Sequence, residues 1–194
     1  MPFSRVIVVA ISWLSLTFSL AAQQAPAQPA AGPIDDAFVQ KEFGSNCSLI
    51  GLPAVTGDLD GDGIEDVVIP AHCTSPMMNQ GDNSYAVIDP YYAYFGYGNP
   101  AITTQFVTED PKRRGYSLLI IHGSGPDAWR SATPKAKFLV VNVPFKRVAV
   151  KKFELKKKMR MAIFIEESEA DSAVSAVFWD GKKYRYQPMG SSQE

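Results

Sequence analysis

The sequence predicts a mainly β fold of the α+β class, with antiparallel strands in a sandwich or a twisted sheet and one short N-terminal helix. Three observations predict this fold. Met159, Met161, Ile163 and Ile165 occupy alternate positions, which is the period of a strand with one buried face. Asp180-Gly181 separates two strand-like segments and is a strong hairpin signal. Helix signals cluster near the N-terminus, where Pro33 precedes two aspartates and Gly44 follows eleven residues after Pro33.

The 194 residues divide into three parts. Residues 1–22 have the pattern of a secretory signal peptide, with Arg5 before a short apolar segment and small residues at its end. An uncleaved membrane anchor is the alternative, but the apolar segment is short for a span of about 20 residues. Residues 23–32 contain Ala, Gln and Pro and predict a flexible leader. We therefore expect a secreted or periplasmic protein with no membrane span after signal removal, in which residues 33–190 form a single domain.

The elements of this domain follow from local patterns. A helix is expected over 33–43, and residues 117–121 are apolar enough for a central strand. Residues 148–150 and 153–155 alternate in different phases, which predicts a bulge near Lys151-Lys152. A two-residue turn at Asp180-Gly181 would place Val177 opposite Tyr184. Seven or eight strands are expected, which include the segments 49–56, 64–69, 117–121, 137–143, 148–155, 159–165, 173–179 and 182–186.

An acidic segment at 57–69 is the most informative part of the chain. It holds five carboxylates in nine residues, from Asp58 to Asp66, which repel one another unless a cation lies among them. Calcium suits such a segment because it takes six to eight oxygen ligands in irregular geometry. Gly61 and Gly63 allow the loop to curl so that alternating carboxylates turn inward. The candidate ligands are Asp58, Asp60, Asp62, the carbonyl of Ile64, and Asp66.

The acidic segment departs from an EF-hand, because Glu65 stands at the eighth loop position and Ile69 at the twelfth. The β-branched residues 67–69 also favour a strand after the loop. The pattern Gly-Asp-x-Asp-Gly-Asp-Gly-x-x-Asp instead resembles the calcium loop of FG-GAP and VCBS-type repeats, found in integrin-like β-propellers and secreted bacterial proteins. The resemblance implies the ligands named above, with no ligand role for Glu65. It covers one loop, whereas a propeller needs several repeats. The alternative is an acidic turn without a metal.

Cys47 and Cys73 lie on either side of the acidic segment. In an exported protein they meet an oxidising compartment, and the sequence predicts a disulfide between them. The alternative is two separate buried thiols. Their spacing, with two histidines in the whole chain, does not suit a zinc site.

Two further segments are candidates for binding. An aromatic run from Tyr85 to Tyr97 is either an exposed platform for sugars or peptides or a set of rings packed on the sheet. The residues of this run that would contact a bound sugar or peptide are Tyr91, Tyr92, Tyr94 and Tyr97. Residues 146–160 contain eight basic residues and one Glu. This basic segment is either a patch for anionic polymers or lipids, or a solvated hairpin that protects a sheet edge.

The catalytic signals are weak. His122-Gly123 after an apolar strand resembles the oxyanion turn of α/β-hydrolases, but Gly-x-Ser-x-Gly is absent and neither His72 nor His122 follows a candidate Ser in the required order. His72 is the only candidate base near the acidic segment in sequence. We therefore predict a secreted calcium-binding interaction module without catalytic activity. The alternatives are a glycan- or envelope-binding protein that uses the aromatic run, and a metal-dependent or hydrolase-like enzyme. The net charge of -1 does not indicate a nucleic-acid partner.

Overall fold

A computed structural model describes residues 32–96, 114–143, 145–167 and 173–191. The predicted signal peptide, almost all of the leader, and Tyr97 lie outside the described residues. In the described part of the chain, no helix has both the length and the apolar character needed to cross a membrane.

The described residues form ten strands, three short α-helices and one 3-10 helix, so the prediction of a mainly β fold with a short N-terminal helix is confirmed. The helices are α1 (Asp36–Phe43), α2 (Gln80–Asn83) and α3 (Pro90–Tyr94), and the 3-10 helix is Gly125–Arg130. The strands are β1 (Cys47–Leu49), β2 (Val55–Gly57), β3 (Asp66–Cys73), β4 (Ala86–Ile88), β5 (Tyr116–His122), β6 (Ala136–Val141), β7 (Arg147–Leu155), β8 (Lys158–Glu166), β9 (Ala173–Trp179) and β10 (Tyr184–Ser191).

The strands form two sheets. Sheet 1 has the order β1-β3-β5-β6-β4, with β2 also paired to β3, and all its pairs are antiparallel except β4–β6. Sheet 2 is the antiparallel meander β10-β9-β8-β7. The pairing of β3 with β5 lies at the centre of sheet 1 and runs from Val67 opposite Ile121 to His72 opposite Tyr116. The prediction that 117–121 forms a central strand is therefore confirmed.

Sheet 1 is buried on both faces. On one face, apolar residues of β3, β5 and β6 pack with Val39 and Phe43 of α1 and with Trp129. On the other face, the alternate residues of the same strands pack against sheet 2, including Ile163 and Val177. Residues on one strand thus alternate between two hydrophobic cores, which explains why β3 and β5 are continuously apolar in sequence.

The predicted bulge in β7 is wrong. The register of β7 with β8 is continuous from Arg147 opposite Glu166 to Leu155 opposite Lys158. The apolar residues alternate in different phases in 148–150 and 153–155 because the outer face of sheet 2 is also partly apolar. Phe153 belongs to that outer face and packs against Phe178, with ring centroids 5.3 Å apart. Apolar residues therefore change face along β7 without an inserted residue.

The predicted register of the last hairpin is also wrong, by two residues. Tyr184 lies opposite Trp179, and Val177 lies opposite Tyr186. The turn is longer than Asp180-Gly181, because the Asp180 carboxylate accepts bonds from the amides of Lys182 and Lys183, at 2.9 and 3.0 Å. A shift of two residues keeps every side chain on its expected face.

Cys47 and Cys73 lie directly opposite each other on β1 and β3, with sulfur atoms 2.09 Å apart, at disulfide distance. The two cysteines are 26 positions apart in the sequence. The bond between them closes a covalent ring that contains β2, the acidic segment between β2 and β3, and most of β3. Because both residues are fully buried in the first core, the bond also fixes the end of sheet 1 that lies away from the acidic loop.

We expect the Cys47→Ala/Cys73→Ala variant to lose roughly 3–4 kcal/mol of unfolding free energy, the chain-entropy value for a closed ring of this size. Urea unfolding followed by tryptophan fluorescence measures it. The reduced wild-type protein is the matched control, because it keeps both sulfur atoms and should lose a similar amount. Equal unfolding midpoints for oxidised and reduced wild type would contradict the prediction.

Candidate metal centre

The acidic loop, residues 58–65, connects β2 to β3 at one end of sheet 1. Gly57 pairs with Asp66, so the two strands close the base of the loop. Because β5 runs antiparallel to β3, it ends at His122 beside this loop. The next strand, β6, begins at the same end, and Lys135 immediately precedes it. The topology therefore brings three separate segments of the chain to one place.

Backbone amides hold the loop in its curled form. Asp58 Oδ1 accepts hydrogen bonds from the amides of Gly61 and Asp62, at 2.8 and 3.0 Å, and its Oδ2 accepts one from Gly63 at 2.9 Å. Asp62 Oδ1 accepts the amide of Ile64 at 2.9 Å. Gly61 and Gly63 have φ angles of 80° and 85°, as the sequence predicted for a tight curl. The carboxylates thus act first as acceptors that shape the loop.

Asp66 fastens the loop to the rest of sheet 1. Its carboxylate is buried, with Oδ2 accepting the Leu59 amide at 2.7 Å and Oδ1 accepting the Gly123 amide at 2.8 Å. Burial raises the pKa of Asp66 to about 6, although these two amide bonds lower it. One side chain therefore joins the start of the loop to the turn that follows β5.

Three carboxylates converge at this site, two from the acidic loop and one from the first residue of β3. Oxygen atoms of Asp58, Asp60 and Asp66 lie within 4.8 Å of one another. Asp62 is outside this group, and its Oδ2 contacts Lys135 instead. Ile64 follows in the loop, half-buried, with its amide bonded to Asp62.

The donor chemistry fits calcium. All three converging side chains offer hard carboxylate oxygens, which Ca²⁺ prefers. Asp58 Oδ1 accepts two amide bonds, but Asp58 Oδ2 and both oxygens of Asp66 accept one each and keep a second lone-pair direction for a cation. Three carboxylates do not supply six to eight ligands alone, and carbonyl or water oxygens complete such a sphere.

The ammonium group of Lys135 lies against the loop. Its Nζ is 2.5 Å from Asp60 Oδ2 and 2.6 Å from Asp62 Oδ2. The hydrogen bonds that Lys135 donates to Asp60 and Asp62 raise the pKa of Lys135, and the one to Asp62 lowers the pKa of Asp62. The Lys135 amide donates to the His122 carbonyl at 3.0 Å, which fixes where its side chain begins.

A buried chain of polar groups leads from the loop into the interface between the sheets. His122 Nδ1 is 3.4 Å from Asp60 Oδ2, and His122 Nε2 is 2.6 Å from the hydroxyl of Tyr184. Burial lowers the pKa of His122 and raises that of Tyr184. Because a carboxylate only accepts hydrogen bonds, the neutral tautomer that suits this arrangement carries its proton on Nδ1, facing Asp60, and accepts the Tyr184 hydroxyl at Nε2. This chain holds the Asp60 carboxylate in one orientation.

Glu65 has a role that the loop pattern does not give it. Its Oε1 accepts the hydroxyl of Thr56 at 2.9 Å, and its Oε2 accepts the indole of Trp129 at 3.1 Å. Glu65 thus joins the loop to β2 and to the 3-10 helix. Glu65 is not one of the three converging carboxylates.

The histidine predicted to lie near the loop is the wrong one. His72 lies opposite Ser48 and Tyr116, at the far end of β3. The six residue steps from Asp66 to His72, at about 3.3 Å each, place it about 20 Å from the loop. His122 is the base beside the loop, although it is far away in sequence. The antiparallel pairing of 66–73 with 116–122 is the signal that would have identified it.

The turn after β5 differs from an oxyanion turn in its bonding. The Gly123 amide, which the hydrolase resemblance would assign to an oxyanion, already donates to Asp66. The side chain of His122 is buried between Phe138, Trp179 and Tyr184. This geometry gives no support to the hydrolase-like alternative.

Part of the aromatic run, Pro90–Tyr94, forms the short helix α3. Asp89 caps this helix, and its carboxylate accepts the Tyr92 amide at 2.9 Å. Tyr91 and Tyr94 contact the ring of Tyr186 on β10, with centroids 5.0 and 5.6 Å apart. Tyr94 is 49% exposed and Phe95 is 48% exposed. The cluster therefore packs on sheet 2 with one side and faces solvent with the other.

Comparison with protein-family models, with curated proteins and with solved structures finds no match to this chain. The resemblance of the acidic loop to FG-GAP and VCBS-type calcium loops therefore stands on the loop residues alone.

Gly123 leaves no room for a side chain at the centre of this site. A Cβ there would lie 2.4 Å from the Glu65 carbonyl oxygen and 2.8 Å from the Ala128 carbonyl carbon, both in the backbone. We expect Gly123→Ala to lower the unfolding free energy by about 2 kcal/mol, because the loop and the 3-10 helix must move apart. Chemical denaturation in the presence of EDTA measures the effect.

Gly81 in α2 is the matched control, since a Cβ there meets nothing within 4 Å. Gly81→Ala should change the unfolding free energy by less than about 1 kcal/mol. If the two variants were equally stable, the close packing around Gly123 would not be a constraint on the fold.

Proposed function

We propose that this chain is an exported interaction module that binds Ca²⁺ at residues 58–66, with the cation in a structural role. The observation that carries the proposal is the convergence of Asp58, Asp60 and Asp66 within 4.8 Å at the end of sheet 1. Bound calcium would supply positive charge, and oxygen atoms of the protein and of water would coordinate it. The chain's own residues curl the loop, orient the carboxylates and fasten them to β5.

Charge supports this proposal. Five carboxylates lie between Asp58 and Asp66, and Lys135 offsets one negative charge. The remaining repulsion destabilises the closed loop, and a divalent cation removes it. Calcium suits the irregular donor set better than magnesium, which demands a nearly ideal octahedron.

The architecture favours a structural role over a catalytic one. Asp66 is buried and bonded through both oxygens, and Asp60 is held by Lys135 and His122. These bonds make the loop part of the packing of sheet 1. Export is supported by the N-terminal sequence and by the Cys47–Cys73 pair at disulfide distance.

We expect calcium to raise the melting temperature of the wild-type protein relative to EDTA. At a free calcium concentration one hundred times Kd, binding adds about 2.7 kcal/mol, which is several degrees for a domain of this size. Differential scanning calorimetry measures the shift, and magnesium at the same concentration should produce a smaller one.

Asp58→Asn should abolish the calcium-dependent rise, because it removes a ligand charge and keeps an acceptor oxygen for the loop amides. The control is Glu154→Gln, which removes an exposed carboxylate on β7 and should leave the rise intact. Identical melting curves with calcium and with EDTA in wild type would refute the calcium proposal.

The half-exposed rings of Tyr94 and Phe95 favour a second candidate function, the binding of a glycan or a cell-envelope polysaccharide. Aromatic faces at the surface stack on sugar rings, and the contact with Tyr186 holds Tyr94 in position. This function is compatible with a structural calcium ion elsewhere on the domain.

We expect Tyr94→Ala to reduce retention of the protein on insoluble polysaccharides by tenfold or so, about 1.4 kcal/mol for one lost stacking contact. Affinity electrophoresis against a panel of glycans measures it. Met78→Ala, at an apolar residue that is 69% exposed, is the control and should not change retention. Absence of binding to every glycan in wild type would eliminate this candidate.

A further inference from the structure

Lys135 occupies the position of a counter-ion in the acidic loop. Its Nζ contacts Asp60 Oδ2 and Asp62 Oδ2 at 2.5 and 2.6 Å, and it comes from a segment 75 residues after Asp60. The Asp60 side chain is only 4% exposed, so its charge needs a partner inside the protein. In the ion-free protein this partner is the ammonium group.

An ammonium group and a calcium ion compete for the same carboxylate. Both need Asp60, which belongs to the converging group and also to the Lys135 ion pair. Calcium carries two charges and coordinates several carboxylates at once, whereas the ammonium group carries one. Lys135 is 49% exposed, and ion pairs of half-exposed lysines are weak. The divalent ion therefore wins once its concentration is high enough.

The surroundings of Lys135 allow its side chain to leave the loop. It lines an open groove of about 500 Å³ between the start of β6 and the helices α1 and α2. Asp82 lies on the wall of that groove and offers a carboxylate to a displaced ammonium group, whereas Glu42 there already pairs with Lys41 and Lys137. Release of Lys135 therefore does not bury an unpaired charge.

We propose that Lys135 is an internal counter-ion that is exchanged for calcium and sets the calcium concentration at which the loop is filled. The inference rests on the calcium function proposed above. In the ion-free state the lysine keeps the loop closed and folded. Calcium binding must displace it, and this cost weakens the apparent affinity.

The first test is isothermal titration of calcium into wild type, Lys135→Met and Lys146→Met. Methionine keeps the length of the side chain and removes its charge. Lys146 is the matched control, because it is 45% exposed and pairs with Glu166 at 3.0 Å, away from the loop. We expect Lys135→Met to bind calcium roughly threefold to tenfold more tightly than wild type. Lys146→Met should match wild type.

Thermal unfolding of the same proteins supplies a readout that does not depend on affinity. Lys135→Met should melt at a lower temperature than wild type in EDTA, because the carboxylates then lack a counter-ion. In saturating calcium the two proteins should melt within about a degree of each other. A uniform loss in both conditions would mean that Lys135 only contributes to packing, and it would overturn the exchange.

A third measurement follows the wild-type lysine directly. Acylation by an N-hydroxysuccinimide ester, quantified by peptide mass spectrometry, should be slow at Lys135 in EDTA and faster in calcium, because the released amine is no longer held by two carboxylates. Lys146 should react at the same rate in both conditions. An unchanged rate at Lys135 in protein saturated with calcium would also overturn the exchange.

The outcomes separate this inference from the function on which it rests. If wild type binds calcium and Lys135→Met binds it equally or more weakly, the exchange is wrong and the calcium function stands. If only Lys135→Met binds calcium, the lysine blocks the ion instead of exchanging with it, and both the exchange and the calcium function of this chain are wrong. If neither protein binds calcium, both proposals are wrong.

Discussion

The antiparallel pairing of β3 with β5 is the constraint on which the rest of the structure depends. Six residue pairs join these strands at the centre of sheet 1, and their side chains feed two hydrophobic cores. The same pairing decides which loops become neighbours, since β3 begins where β5 ends. A shift by one residue would exchange the two faces of a strand that is buried on both sides. The position of the acidic loop beside His122 is therefore as firmly fixed as the core itself.

Asp66 belongs both to the acidic site and to the buried part of sheet 1. Asp66 is buried because its two oxygens fasten Leu59 and Gly123, and burial raises its pKa to about 6. A carboxylate that is costly to ionise in the folded protein gains most from a nearby positive charge. At the proposed cation site, hydrogen bonds would shape the loop and the cation would supply the opposite charge.

Local features of this protein could be predicted from its sequence, and long-range ones could not. The mainly β fold, the N-terminal helix, the hairpin positions and the curl at Gly61 and Gly63 follow from periodicity and turn chemistry within a few residues. The bulge was mispredicted because the outer face of sheet 2 is partly apolar. The register of the last hairpin was mispredicted because the Asp180 side chain binds backbone amides and lengthens the turn. Lys135 was missed because it reaches the loop from 75 residues away, through the order of three strands.

The bond between Cys47 and Cys73 has a consequence for what happens when the chain is cleaved. The acidic loop is an exposed turn within the covalent ring that this bond closes. A protease that cuts one peptide bond in the loop leaves both fragments joined through the sulfur atoms. The central strand β3 then stays attached to the chain that precedes the cut, and the nicked protein keeps the pieces of its core together. The ring therefore offers tolerance to a proteolytic cut in this loop.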